Sequence, residues 1–243
     1  MVKARNQTLL DSLQPKDRLI IALDVPTPDD AQSLIHTLGD AVSIYKIGLE
    51  LLLAGGTGLA EELIGAGKQV FIDAKLLDIG NTVERAAANI AKLGATFLTI
   101  HGTDRKTLDA AVRGRGTSDL KLLAITVLTN LSQSDLTEQG IGMTPEDLVL
   151  RRAKLAADAG FDGVVASARE AQNIRAQFPD LIITTPGIRP AGADAGDQAR
   201  TMTPGRAIAA GADFLVVGRP VTRAPDPRHA AKAIIAEIAD ALQ

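Results

Sequence analysis

One local pattern recurs along the chain: a helical segment ends in glycine, and a short apolar run follows it. Clear junctions of this kind are Ala66-Gly67, Leu93-Gly94, Ala159-Gly160 and Ala210-Gly211. Glycine just past a helix supplies the left-handed cap that releases the chain into the next element. The apolar runs are nearly continuous rather than alternating, which is typical of parallel strands buried on both faces. The pattern therefore predicts an α/β fold around a parallel sheet.

Eight such runs predict eight strands. They cover residues 19–25, 43–48, 70–75, 97–101, 122–128, 163–166, 182–186 and 214–217. Helical segments lie between them, among others at residues 29–38, 81–93, 145–159 and 168–177, and a last one covers residues 227–242. Eight strand–helix units in a single run favour a closed (β/α)8 TIM barrel over a doubly wound open sheet. We predict one domain over residues 1–243, with residues 1–17 as a polar N-terminal extension.

The composition argues against several classes of function. With a net charge of −3 and 2% aromatic residues, the chain has neither the basic surface nor the aromatic platforms that nucleic-acid binding usually needs. The absence of cysteine excludes disulfides, thiolate metal sites and a cysteine nucleophile. No apolar run approaches the ~18 residues of a membrane span, and the first 18 residues lack the apolar core of a signal peptide. We therefore expect a cytoplasmic protein without nucleic-acid or membrane partners.

Polar residues gather at the C-terminal ends of the predicted strands, which is where active sites of (β/α)8 barrels lie. The third strand carries Asp73 and Lys75, which alternation places on one face, and Asp78 follows just beyond. Other strand ends contribute Asp24, Lys46, His101, Thr129, Pro186-Gly187-Ile188-Arg189 and Val217-Gly218-Arg219.

Each of these residues also has a structural interpretation. Asp73 and Lys75 could form an ion pair that serves only stability, and Lys46 could extend its ammonium group from the barrel mouth into solvent. Asp24 could be a turn residue, and His101 a hydrogen-bonded core histidine. Because all of them fall at the same end of the barrel, we predict an active site there.

The last two strand ends predict a phosphate site. In (β/α)8 barrels, phosphate is often bound by the loops after strands 7 and 8. Gly218 lets the backbone approach a ligand closely, and Arg219 offers a bidentate fork to phosphate oxygens. The alternative is a rim arginine paired with an aspartate. The residues alone thus indicate a barrel enzyme that acts on a small phosphorylated substrate.

Seven motifs follow one another in a defined order. They are Ile21-Ala22-Leu23-Asp24, Lys46, the D-x-K-x-x-D-I pattern from Asp73 to Ile79, Thr129, Pro186-Gly187-Ile188-Arg189, Asp197-Gln198 and Val216-Val217-Gly218-Arg219. In this order they closely resemble the orotidine 5′-monophosphate decarboxylase family, from Leu19 to about Pro227. The D-x-K-x-x-D pattern alone is shared with related phosphosugar enzymes, whereas the full ordered set is specific.

The resemblance implies conversion of orotidine 5′-monophosphate to uridine 5′-monophosphate and CO2, the last step of de novo pyrimidine synthesis, without a metal or cofactor. It implies that Lys75 donates a proton to C6 within a Lys-Asp-Lys-Asp charge array that also contains Lys46, Asp73 and Asp78. The implied substrate contacts are Asp24 and Lys46 at the ribose, Thr129 at the base, and Arg189, Gln198, Gly218 and Arg219 at the phosphate. A homodimer is also implied, in which Asp78 and Thr82 reach into the site of the neighbouring subunit.

Two other functions remain open from the sequence. A metal-dependent phosphosugar lyase of the same superfamily, of the hexulose-phosphate synthase or ketogulonate-phosphate decarboxylase type, shares D-x-K-x-x-D. Such a lyase has an acidic metal ligand where this chain has Lys46, and a cation there opposes Mg²⁺ binding. The third possibility is a non-catalytic nucleotide-binding barrel, although binding alone does not need Asp73 and Lys75.

Overall fold

Eight parallel strands form a closed barrel in the computed structural model, which describes residues 2–191 and 201–243. The strands pair in chain order, and the last pairs with the first. They are β1 Leu19–Ala22, β2 Ile44–Gly48, β3 Gln69–Leu76, β4 Phe97–His101, β5 Lys121–Ile125, β6 Gly163–Val165, β7 Ile182–Thr185 and β8 Phe214–Val217. The predicted (β/α)8 barrel is therefore confirmed, and the open sheet is excluded.

Helices alternate with the strands. They are α1 Val2–Ser12, α2 Pro28–Leu38, α3 Leu49–Leu51, α4 Thr57–Gly65, α5 Gly80–Leu93, α6 Arg105–Arg115, α7 Gln133–Glu138, α8 Pro145–Ala159, α9 Ala168–Gln177, α10 Pro204–Ala209, α11 Arg219–Thr222 and α12 Pro227–Ala241. Gly94 and Gly160 adopt the left-handed conformation and cap α5 and α8, as the glycine pattern predicts. No helix in the described ranges is both long and apolar enough to cross a bilayer.

Side-chain alternation along the strands separates two apolar layers. The layer inside the barrel contains Phe71, Phe97 and Phe214, and the ring of Phe97 packs edge-on against the other two at centroid distances of 5.8 and 5.2 Å. The outer layer joins alternate strand residues such as Leu19 and Ile21 to the surrounding helices. Each polar residue on the inward phase of a strand therefore points into the barrel.

The N-terminal segment, expected to be a polar extension, packs against the barrel. Leu9 and Leu10 of α1, with Leu13 just after it, contact the inner apolar layer. The buried Asn6 amide donates hydrogen bonds to the carbonyls of Asp162 and Asp180 at 2.7 and 2.9 Å. Since these carbonyls precede β6 and β7, α1 lies across the N-terminal end of the barrel and leaves the C-terminal end open.

Candidate active site

A cavity of about 490 Å³ opens among the C-terminal ends of the strands. Its lining includes most of the predicted site residues, namely Asp24, Lys46, Asp73, Lys75, Thr129, Arg189, Gly218 and Arg219. They come from six strands or the loops that follow them, so the closure of the barrel is what brings these residues together. Gln198, predicted to contact phosphate, lies outside the described residues.

Four charged side chains form a continuous chain of alternating sign along one wall of this cavity. Lys46 Nζ lies 2.8 Å from Oδ1 of Asp24 and 3.3 Å from Oδ2 of Asp73. Lys75 Nζ lies 2.8 Å from the same Oδ2 of Asp73. Asp73 thus stands between two ammonium groups, as its inward position on β3 predicts. Lys46 and Asp73 are both buried, so each charge depends on the others for compensation.

The protonation states of this array are held by mutual attraction. Burial alone raises the pKa of Asp73, but attraction to Lys46 and Lys75, with hydrogen bonds from Lys75 and Thr99, outweighs burial and lowers that pKa below its ordinary value. Burial alone lowers the pKa of Lys46, but attraction to Asp73 and Asp24 and hydrogen bonds to both carboxylates leave that pKa raised. The pair is therefore ionised throughout the neutral range.

The backbone of Lys75 has an unusual conformation. Its φ is 48°, and within the described part of the chain it is the one non-glycine residue with a positive φ. The left-handed region costs a residue with a side chain about 1–2 kcal/mol. The pairing of β3 with β4 also shifts here, because Ile72 faces Leu98 but the next pair is Leu76 with Ile100. Such local irregularities concentrate at functional sites.

Sequence reasoning missed two residues that shape the array. Thr99, fully buried on β4, donates from Oγ1 to Oδ1 of Asp73 at 2.9 Å and accepts the backbone N–H of Lys75 at 3.0 Å. The second residue is Gly48, which leaves room for the ion pair of Asp24 and Lys46. A Cβ at this position would lie only 3.0 Å from both Asp24 Oδ1 and Lys46 Nζ. Thr99 lies two residues before His101 on the same face of β4, so strand alternation was the signal that could have identified it.

The part of the cavity formed by the loops after β7 and β8 is basic, and a glycine there gives a ligand close access to the backbone. Gly218 follows β8, and Arg219 begins the short helix α11. Arg189, on the loop after β7, and Arg223, after α11, also line the cavity, and Arg223 was not predicted. This places three guanidinium groups around the loops after strands 7 and 8, where phosphate is often bound in this fold.

Two predicted residues do not join the cavity within one chain. Asp78 and Thr82 are exposed and do not line it, and Oδ1 of Asp78 accepts the N–H of Ile79 at 2.6 Å. Leu77 and Ile79, which flank Asp78, are also exposed.

His101 lies above Thr99 at the end of β4 and does not line the cavity. Its pKa is lowered mainly by burial and then by the positive charges of Arg152 and Lys75, which outweigh the opposite effect of Asp73. Among the residues that the structure describes, no group of three or more acidic or histidine side chains is arranged to hold a metal ion.

A closed (β/α)8 barrel with a charged cavity at the C-terminal ends of its strands has the architecture of the barrel enzymes. Residues 17–234 match the sequence family described as "Orotidine 5'-phosphate decarboxylase / HUMPS family". The chain belongs to this family.

Individual relatives agree with this assignment. The chain is 57% identical to the orotidine 5'-phosphate decarboxylase of Afipia carboxidovorans over 226 residues, which covers 93% of this chain and 96% of the relative. It is 56% identical to the enzyme of the same name from Bradyrhizobium sp. over 231 residues, or 95% of each chain. Among solved structures, orotidine 5'-phosphate decarboxylase from Lactobacillus acidophilus superposes with a TM-score of 0.81 at 36% identity, covering 91% of this chain and 99% of the other.

Proposed function

We propose that this protein decarboxylates orotidine 5′-monophosphate to uridine 5′-monophosphate and CO2, the last step of de novo pyrimidine synthesis. The observation that carries the proposal is the alternating array of Asp24, Lys46, Asp73 and Lys75 in the barrel cavity. Family membership and relatives that bear this name at 53–57% identity support it. The enzyme is proposed to act in the cytoplasm, as expected from the sequence.

The chemical step demands electrostatic stabilisation. When the bond from C6 to the carboxylate breaks, its electron pair stays on C6 in an orbital outside the π system, and CO2 leaves. Lys75 stabilises this carbanion by its positive charge and then donates a proton from Nζ to C6; the amine regains a proton from solvent. Because Lys75 is already fixed by Asp73, the charge is in place before the reaction begins.

The remaining members of the array have supporting roles. Asp73 lies next to the leaving carboxylate, and repulsion between the two anions favours release of CO2. The ammonium group of Lys46 compensates the carboxylate of Asp73, so Asp73 can remain ionised in a buried site. Asp24 and Lys46 are proposed to bind the ribose hydroxyls, and Thr129 to face the base.

The basic side of the cavity is proposed to bind the phosphate. The groups assigned to this role are Arg189, Gln198, Gly218 and Arg219. A phosphate held far from C6 supplies binding energy that orients the reacting ring toward Lys75. The 490 Å³ cavity falls within the range of small-ligand sites, and its lysine wall and arginine side match the two ends of a nucleotide.

We also propose a homodimer with shared active sites. Asp78 and Thr82 are exposed and do not line the cavity of their own chain, and we assign them to the site of a partner subunit. The apolar side chains of Leu53, between α3 and α4, and of Ile79, after β3, are 88% and 73% exposed. Exposed large apolar side chains next to polar functional groups are typical of a protein interface.

The position of Lys46 favours this reaction over that of a metal-dependent lyase. Its ammonium group lies between the carboxylates of Asp24 and Asp73, which are the oxygens that a divalent ion would use. The reaction is therefore proposed to need no metal or organic cofactor.

The test follows the loss of orotidine 5′-monophosphate absorbance by the purified protein with and without EDTA. Turnover that is unchanged by EDTA is expected. Activity that EDTA abolishes and Mg²⁺ restores would assign the protein to the lyases, and binding of the nucleotide without turnover would indicate a non-catalytic barrel.

A further inference from the structure

The hydroxyl group of Thr99 connects two adjacent residues of the charge array, Asp73 and Lys75. Oγ1 donates to Oδ1 of Asp73 at 2.9 Å and accepts the backbone N–H of Lys75 at 3.0 Å. Thr99 has no solvent exposure, so neither bond competes with bulk water. A hydroxyl is one of the few groups that can donate and accept at a single atom.

The bond to Lys75 falls where the regular sheet pairing is interrupted. From one regular pair to the next, β3 advances from residue 72 to 76 while β4 advances only from 98 to 100. The residues in this bulge include Asp73 and Lys75, and Lys75 has the left-handed φ of 48°. A buried backbone N–H needs a hydrogen-bond partner, and the side chain of Thr99 supplies it across the bulge.

The bond to Asp73 fixes the direction of its carboxylate. With Oδ1 held by Thr99, Oδ2 faces both ammonium groups, at 2.8 Å from Lys75 and 3.3 Å from Lys46. Rotation of the carboxylate would give up the Thr99 bond and the favourable geometry to both lysines. Thr99 thus restrains the backbone that carries Lys75 and the anion that orients its ammonium group.

We propose that Thr99 is a positioning residue for decarboxylation, which acts by holding Lys75 Nζ in the geometry needed at C6. This inference rests on the function proposed above. The competing explanation is that Thr99 only satisfies hydrogen bonds in the barrel core. The two explanations differ in what they predict for turnover, for substrate binding and for the conformation of Lys75.

The experiment compares Thr99→Val, which keeps the shape and removes the hydroxyl, with Thr99→Ser, which keeps the hydroxyl. Thr126→Val is the matched control, because Thr126 is also fully buried and its hydroxyl donates to the backbone carbonyl of Val165 instead of an array residue. Kinetics with orotidine 5′-monophosphate and binding of uridine 5′-monophosphate are measured for each folded variant.

For Thr99→Val we expect kcat to fall about 100-fold, the loss that a displacement of about 1 Å can cause, with little change in nucleotide affinity. Thr99→Ser should recover most of the turnover, and Thr126→Val should keep its kcat even if it is less stable. A Thr99→Val enzyme with near wild-type kcat, or a Thr126→Val enzyme with an equal loss, would overturn the proposal. Should Thr99→Val not fold, Thr99→Ala replaces it, with the same expectations.

A structural measurement separates this inference from the proposed function. In a crystal structure of the hydroxyl-free variant, Lys75 should leave the left-handed region, or its 2.8 Å contact with Asp73 should lengthen. An unchanged Lys75 would reject the positioning role, even for a wild-type protein that does not decarboxylate the nucleotide. If the wild-type protein is inactive but Lys75 shifts, the proposed function fails and the positioning role stands.

Discussion

Nζ of Lys75 lies 2.8 Å from Oδ2 of Asp73, although only one residue separates the two on a strand that is bulged at this point. In a flat strand, residues i and i+2 point the same way and lie roughly 6.6 Å apart at their Cα atoms. Here the left-handed backbone of Lys75 sets the direction of its side chain, and the carboxylate of Asp73 holds the ammonium group at the end of that side chain. The cation is therefore ordered before any substrate enters the cavity.

Replacement of Lys75 by alanine should abolish turnover while the protein remains folded. The variant loses both the proposed proton donor and a stabilising charge, so kcat should fall by more than the ~10²–10⁴-fold typical of acid–base catalysis alone. The protein should stay folded because the buried carboxylate of Asp73 keeps its ion pair with Lys46 at 3.3 Å and its hydrogen bond from Thr99 at 2.9 Å. Single-turnover kinetics and circular dichroism measure the two effects.

The control for this variant is Lys92→Ala, because Lys92 is an exposed residue at the end of α5 that does not line the cavity. It should behave as wild type. A folded Lys75→Ala protein that retained a tenth of the wild-type rate would remove Lys75 from its proposed role.

Arg219→Ala should weaken the binding of uridine 5′-monophosphate far more than that of uridine. Only the nucleotide carries the charge that a guanidinium group would contact, and a charge-assisted hydrogen-bonded contact is worth on the order of 2–3 kcal/mol, or roughly 30- to 150-fold in affinity. Calorimetric titration with both ligands measures the difference. Arg206→Ala, at an exposed position outside the cavity, serves as control. Equal losses for the two ligands would exclude a phosphate contact by Arg219.

Gly48→Ala should disturb the ion pair between Asp24 and Lys46 without unfolding the barrel. The new Cβ would lie 3.0 Å from Asp24 Oδ1 and from Lys46 Nζ, and both atoms are at the ends of flexible side chains that can move. Because Asp24 and Lys46 are assigned to the ribose, KM should rise more than kcat falls. Gly58→Ala is the matched control, since its Cβ would meet no atom within 4 Å. Identical kinetics for the two variants would contradict this role of Gly48.

The order of elements was predictable because the strands are apolar runs, four of which begin after a glycine that ends a helical segment. Strand alternation predicts the inward direction of Lys46 and Asp73, whereas the direction of the Lys75 side chain depends on the bulge in β3. The bulge at Lys75 was not predictable, since a left-handed lysine leaves no mark in composition or periodicity. Alternation with His101 could have placed Thr99 on the inward face of β4, but its contacts with Asp73 and Lys75 depend on the irregular pairing of β3 with β4. The contact of α1 with the barrel was not predictable, because polar residues surround Leu9 and Leu10 in the sequence.

His101 should make the folded protein sensitive to mild acid. Its pKa is below the ordinary value of 6.5 in the folded state, because of burial and the nearby charges of Arg152 and Lys75. The unfolded state therefore binds the proton first, and the free energy of unfolding falls as pH drops through 6.5 toward the folded pKa, by at most about 1.4 kcal/mol per pH unit for one proton.

His101→Gln removes this titration, so its free energy of unfolding should fall less than that of wild type between pH 7.5 and 5.5. Urea denaturation at several pH values measures the slopes, and proton NMR of the His101 ring follows its titration directly. Replacement of the exposed His36 controls for histidine loss in general. Parallel slopes for wild type and His101→Gln would contradict a depressed pKa at His101.

The shared active site can be tested by mixing two inactive variants. If Asp78 acts across the dimer interface, each site combines Lys75 of one chain with Asp78 of the other, and the Lys75→Ala and Asp78→Ala homodimers should both be nearly inactive. In a heterodimer of the two, one site collects both changes and the other collects neither. Random exchange makes half of the dimers hybrid, and half of the sites in each hybrid are intact, so activity should recover to roughly a quarter of wild type.

If Asp78 serves its own chain, every site retains one change and mixing restores nothing. Native mass spectrometry verifies that subunits have exchanged, so an absence of recovery would then overturn the shared-site proposal.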